Sequence, residues 1–175
     1  MIHPLLLLFF AAGADWSKPV DVMHDDKPCI SYRAKVTGGH VLVEARLEPG
    51  WHTFTLDNDK RAAEKLAGKK ALGVDKPTSI GLQGVETTGA WLQSEPKDFS
   101  QPEIRMFTWG FEKQALFAAP VKRTEGPVQI RIRGQACTEA VCKNIDVTLA
   151  LPDGAGGAAL PDLSGLTLVY GETKR

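Results

Sequence analysis

The stretch from Val128 to Leu151 constrains the fold more than any other part of the chain. Val128, Ile130 and Ile132 alternate with Gln129, Arg131 and Arg133; further on, Ile145, Val147, Leu149 and Leu151 alternate with Asp146, Thr148 and Ala150. A period of two is the signature of a strand with one buried face. Between these strands lies Cys137-Thr138-Glu139-Ala140-Val141-Cys142. Two strands so closely joined form an antiparallel hairpin, and the cysteines at the ends of its connection face one another. Facing Cα atoms in such a ladder sit about 4.5–5.5 Å apart, within disulfide range.

The same period recurs along the chain. Ile30, Tyr32, Ala34 and Val36 alternate, Gly38-Gly39 supplies a turn, and Val41, Val43, Ala45 and Leu47 continue on a second strand. Pro49-Gly50 leads into Trp51–Leu56, and further strands are predicted over Thr78–Leu82, Val85–Leu92, Phe107–Phe111 and Gln114–Val121. Short strands at this spacing predict an all-β fold, an immunoglobulin-like β-sandwich with one inserted helix, with a barrel as the alternative. The helix is predicted over Asp59–Leu72, where Ala62, Ala63, Leu66 and Ala67 share a face. Asp57 or Asn58 is placed to cap it, and Gly73 to close it. The Asp57-Asn58-Asp59 cluster lacks the remaining oxygen ligands and the glycine of a calcium loop, so capping is its simpler role.

Composition removes several function classes. Lys+Arg and Asp+Glu both number 21, and a balanced chain lacks the basic excess of a nucleic-acid binder. The apolar run Pro4–Ala14 has signal-peptide length, and Ala12-Gly13-Ala14 fits a cleavage site before Asp15. Its n-region lacks Lys and Arg, and no cysteine follows to carry a lipid. No later stretch approaches the roughly 20 apolar residues that span a bilayer. The expectation is a signal peptide over 1–14, an exported domain over 15–152, and a flexible linker and tail over 153–175. Within that tail, Leu166–Tyr170 is a candidate edge strand.

Three cysteines cannot build a four-thiolate zinc site. As a staple, the Cys137–Cys142 loop of about six residues is worth roughly 2 kcal/mol in chain entropy. Spacing alone leaves open an inert hairpin clasp and an exchanging redox pair. Cys29 is unpaired by arithmetic, and burial at a strand start is its expected state. His24, His40 and His52 show no close metal-ligand spacing, so no metal and no cofactor is expected. Phe107, Trp109 and Phe111 lie at alternate positions, which suits either core packing or an aromatic lid over the sulfurs.

Gly50-Trp51-His52, Pro77-Thr78, Thr108-Trp109-Gly110-Phe111 and Gly134-Gln135-Ala136-Cys137…Cys142 occur in an order that resembles the amino-terminal domain of the bacterial thiol–disulfide interchange family DsbD. The resemblance runs from about Ile30 to Pro152. It implies an immunoglobulin-like sandwich in which Cys137 and Cys142 exchange electrons. The donor would be a thioredoxin-like domain or a membrane thiol carrier, and the acceptors oxidised exported proteins. It also implies a cap loop within Met106–Phe111, with Phe107 or Trp109 over the sulfurs. Two departures stand out. Lys143-Asn144 follows the second cysteine where many members carry Pro-Pro, and the family's membrane and thioredoxin-like parts have no counterpart in these 175 residues. A separate partner is therefore expected. Arg133 and Lys143 flank the hairpin as candidates to favour a thiolate, with Glu139 opposing them. The rival reading is a non-catalytic binding sandwich with a static disulfide; a copper or zinc chaperone using His52 with the thiols is a weaker third.

Overall fold

The computed structural model describes residues 16–71, 76–152 and 156–172. The signal peptide expected over 1–14 and the helix-closing Gly73 lie outside them. The alternating segments form two antiparallel sheets. The first orders β1 (Val20–His24), β2 (Lys27–Thr37), β3 (His40–Leu47), β10 (Gln114–Arg123), β7 (Leu92–Ser94) and β13 (Leu166–Leu168), and β6 (Val85–Thr87) also pairs with β10. The second orders β12 (Cys142–Ala150), β11 (Gln129–Cys137), β4 (His52–Phe54), β9 (Trp109–Glu112) and β8 (Lys97–Asp98), with β5 (Ser79–Gln83) also on β11.

The sheets meet through their apolar faces. Tyr32, Val43 and Phe117 of the first sheet and Ile130, Ile132 and Leu149 of the second are fully or almost fully buried in one cluster. Burying side chains of this size is worth about 1.5–3 kcal/mol each. The molecule is an all-β, immunoglobulin-like sandwich with one inserted helix, as the alternation predicted. The segment expected as one strand over Val85–Leu92 is two, β6 and β7, separated at Thr88–Trp91. Two strands were not anticipated, the two-residue β8 and the amino-terminal β1. In β1, Val20 and Val22 do alternate with Asp21 and Met23, but over too few residues to stand out.

The inserted helix departs from expectation. Helix α1 spans Asn58–Leu66 and stops short of Leu72, because Ala67 enters the left-handed region (φ 48°) and returns its N–H to the Ala63 carbonyl. Neither the Asp57 nor the Asn58 side chain caps the helix; both bond to groups other than its first-turn amides. Asp57 accepts from Arg61 Nε at 2.9 Å, from Gln93 Nε2 at 3.0 Å and from the Tyr170 N–H. Asn58 Oδ1 accepts from the Trp109 N–H at 2.8 Å. Asn58 is the helix's buried residue, and Ala63 on the expected apolar face is exposed. Polar contacts at one end therefore hold the helix, rather than an apolar stripe.

Of the linker and tail expected over 153–175, residues 156–172 are described. Gly157 bridges Thr37, β13 adds to the sheet edge as the Leu166–Tyr170 pattern suggested, and Tyr170 closes onto Asp57. Asp57 thus joins α1, β7 and the carboxy-terminal segment.

Burial alone pushes the Asp57 carboxyl up, but Arg61, the Tyr170 N–H, Thr55 and Gln93 outweigh it and hold it below its ordinary value of 3.8. A carboxyl depressed in the fold stabilises it fully above the unfolded value and loses that contribution as pH falls through the lower folded value. Asp57→Asn should therefore cost about 2–3 kcal/mol in urea unfolding at pH 7, by leaving a charged partner short of its acceptor. That deficit should shrink below about pH 4, as the wild-type carboxylate is itself protonated.

Candidate functional site

The disulfide sits where two rules of sheet geometry meet. Cys137 ends β11 and Cys142 begins β12; they are direct partners in the ladder, with Cα atoms 4.0 Å apart, and their sulfurs are bonded. The connection between them is set by one side chain. Thr138 Oγ1 accepts from the N–H groups of Ala140 and Val141 at 3.2 and 3.1 Å, while the Thr138 N–H donates to the Val141 carbonyl at 2.8 Å. The tip beyond it, Glu139 to Val141, is exposed.

Alternation assigns the pair a face. On β11, Ile130, Ile132 and Ala136 point into the core, so Arg131, Arg133, Gln135 and Cys137 belong to the outer face. Exposure is unequal within the pair: Cys137 is 2% exposed, whereas Cys142 is open to solvent. Of the two residues, Cys142 is thus the one open to an approaching reagent.

What covers Cys137 comes from three directions. On its far side from Cys142, Cys137 pairs with His52 of β4, and His52 in turn pairs with Glu112 of β9. Directly opposed residues share a face, so Cys142, Cys137, His52 and Glu112 form one row across four strands. The His52 ring stacks on Phe99, with centroids 4.9 Å apart and planes 23° apart, and meets Phe54 edge-on at 5.4 Å. Beside the row lies a cleft of about 920 Å³, walled by Trp51, His52, Phe99 and Met106, with both cysteines in its lining.

The far wall is a hairpin that continues the β8–β9 ladder. The Phe99 N–H donates to the Thr108 carbonyl at 2.9 Å, and Gln101 and Met106 exchange two bonds around the turn at Pro102–Ile104. Facing pairs alternate sides along this hairpin. Phe99, Gln101, Met106 and Thr108 line the disulfide cleft; Phe107 and Trp109 line depressions beside α1 instead, the first of which Met106 also reaches. Phe107 lies against Ala62 and Leu66 of α1, and the Trp109 ring lies 6.0 Å from the Arg61 guanidinium. Neither Phe107 nor Trp109, the expected cap residues, is part of the lining of the cleft that holds the cysteines. Met106, inside the expected loop, does line that cleft, joined by Phe99 from the opposite arm. Phe111, third of the aromatic triplet, is core, edge-on to Phe117 at 5.5 Å.

Phe99 was missed because it lies outside any aromatic cluster in the sequence. The signal that could have found it is Gly110. A Cβ there would lie 2.1 Å from the Thr53 carbonyl oxygen and 3.3 Å from Phe99 Cε2. Only glycine lets this hairpin lie down on β4 and bring Phe99 over His52.

The other candidates are placed as follows. Arg133 is paired in register with Asp146, four residues along β11 from Cys137. Lys143 alternates to the face opposite Cys142. Glu139 lines the cleft. Cys29 is 1% exposed on β2, its Sγ 3.2 Å from the Val22 carbonyl oxygen, and burial raises its thiol so that it stays protonated. Among the described residues, no group of three His, Cys, Asp or Glu side chains is arranged to hold a metal, and no helix is long and apolar enough to cross a membrane.

No family model matches the sequence, and no curated protein matches it significantly. Among solved structures, the chain is similar to the amino-terminal domain of Neisseria meningitidis DsbD in the reduced form, at 14% identity and a TM-score of 0.36, over 71% of this chain and 91% of that one. It is also similar to a structure of the complex between the DsbD and PilB amino-terminal domains from Neisseria meningitidis. That match has 15% identity and a TM-score of 0.45, over 75% of this chain and 88% of that one.

Proposed function

We propose that the chain is an exported thiol–disulfide exchange domain whose Cys137–Cys142 pair relays electrons from a thioredoxin-like or membrane thiol donor to oxidised exported proteins. The working unit would be residues 15–152, released from a leader over 1–14. The observation that carries the reading is the asymmetric disulfide: one cysteine exposed, its partner buried, both lining a cleft to which Trp51, Phe99 and Met106 contribute apolar wall. A clasp serving stability alone has no use for such an arrangement, since it crosslinks strands already paired along nine residue pairs.

The chemistry follows from exposure. A donor thiolate attacks Cys142 Sγ, the Cys137–Cys142 bond breaks, and Cys137 leaves as a thiolate while a mixed disulfide forms at Cys142. The donor's second thiolate then attacks its own sulfur in that mixed disulfide and releases Cys142. Two electrons have moved, the donor dithiol has become a disulfide, and both cysteines are reduced. Delivery to an oxidised client runs the same steps in reverse. Cys142 attacks the client disulfide, and Cys137 resolves the intermediate. Phe99 and Met106 wall the cleft beside the buried sulfur and limit access to it.

Equilibration with glutathione buffers and with a thioredoxin-like donor tests the proposal. An exchanging pair should be reduced by the donor, whereas a bond that stays oxidised below about −300 mV and resists it is a structural clasp. The order of attack is tested with single cysteines. The Cys142 thiol left by Cys137→Ser should react with an aromatic disulfide reagent at least about tenfold faster than the Cys137 thiol left by Cys142→Ser, because access governs the rate. Phe99→Ala should speed reduction of the intact disulfide by dithiothreitol by roughly three- to tenfold, measured by stopped thiol alkylation, because it opens the cleft wall.

A further inference from the structure

The row across the outer face makes a histidine the direct ladder neighbour of the cysteine whose sulfur the exchange must release. His52 is the direct ladder partner of Cys137, on the side away from Cys142. Its ring is held by Phe99 on one side and Phe54 at its edge, so it is oriented rather than free to swing. Glu112, the next residue in the row, is an anion. Its carboxyl is held below the ordinary range first by Lys97, with which it is hydrogen-bonded, and also by its coupling to His52. A carboxylate on the far side of an imidazole favours the imidazolium, and an imidazolium beside a thiol favours the thiolate.

The sequence pointed to Arg133 and Lys143 for this task; in the ladder they pair with Asp146 and Ala136, not with Cys137. Other ionisable groups lining the cleft are Glu48 and Lys113, from the turns that flank β4 and β9, and Glu139 from the hairpin tip. None of them is a ladder partner of Cys137.

We propose that His52 is the positioning residue of the exchange, its imidazolium stabilising the thiolate that Cys137 becomes when the disulfide opens at Cys142, with Glu112 keeping that imidazole charged. The inference rests on the exchange reading and adds which group sets its rate and pH range. In the step itself the attacking thiolate bonds to Cys142 Sγ, the electron pair of the broken S–S bond goes to Cys137 Sγ, and His52 supplies charge without being consumed. When the pair passes its electrons on, Cys137 resolves the mixed disulfide at Cys142 as the same stabilised thiolate, at a pH where an isolated thiol is mostly protonated.

The test compares reduction of the intact disulfide by dithiothreitol in wild type and His52→Gln from pH 5.5 to 9.5, as a rate ratio at each pH so that the reagent's own titration cancels. Wild type should be faster by about tenfold at pH 6, and the ratio should fall towards one above about pH 9, where the imidazole is neutral. A ratio that is flat with pH, whether large or close to one, overturns the proposal, because loss of packing on Phe99 would slow or quicken the reaction equally at every pH. Glu112→Gln, at an exposed position, is the second variant. It should move the fall-off to lower pH, and an unmoved fall-off removes Glu112 and the charged imidazole from the mechanism. As a separate readout, thiolate absorbance of reduced Cys142→Ser should show the Cys137 midpoint rising by about one pH unit when His52→Gln is added, with Cys29 contributing equally to both. Dithiothreitol makes no demand on a protein partner. Failure of the wider reading would instead appear as a disulfide that a thioredoxin-like dithiol leaves intact, whatever the ratio with the small reagent.

Discussion

The site depends on the register of one antiparallel sheet. Cys142, Cys137, His52 and Glu112 lie directly opposite one another on β12, β11, β4 and β9. Because side chains on a strand alternate, a slip of one residue in any of these pairings would send one member to the core face and break the row. The sandwich core enforces the register from the other side. Ile130, Ile132, Ala136 and Ile145 must stay buried, and that requirement leaves the cysteines outward. Hydrophobic packing on one face of the sheet thus arranges chemistry on the other.

A second constraint is polar. Asp57 and Asn58 looked like helix caps, but their side chains bind distant backbone and side-chain groups, one at Tyr170 and Gln93, the other at Trp109. Buried carboxylates and amides are tolerated only when their bonds are satisfied, so these two tie α1, β7, β9 and the carboxy-terminal segment into one arrangement. The bond from Asn58 to Trp109 also anchors the hairpin that carries Phe99 and Met106. The support of the cleft wall therefore begins at the helix, far along the chain from the cysteines.

Much of this was legible in the sequence wherever a local period reported burial. The strand pairs β2–β3 and β11–β12 and the facing cysteines follow from alternation between turn residues. The helix end did not, because Ala67 carries no sign that it will turn left-handed. Which side chains wall the cleft is not legible locally for a related reason. Alternation correctly separates Phe107 and Trp109 from Met106 and Thr108, but it does not say which set faces the sulfurs. That depends on how the β8–β9 hairpin lies on β4, an approach made possible by Gly110.

By itself, the sequence determined the all-β class, the hairpin that brings Cys137 opposite Cys142, and the burial of Cys29, since each rests on residues close in the chain or on a strong apolar pattern. Only the tertiary structure decided that Cys142 is open while Cys137 is covered, that His52 and not Arg133 or Lys143 is the ladder neighbour of Cys137, and that Phe99 and Met106 wall the cleft. Those placements join segments some 30 to 90 residues apart through sheet register and hairpin packing. No local propensity encodes such meetings; they exist once the two sheets have closed on their common core.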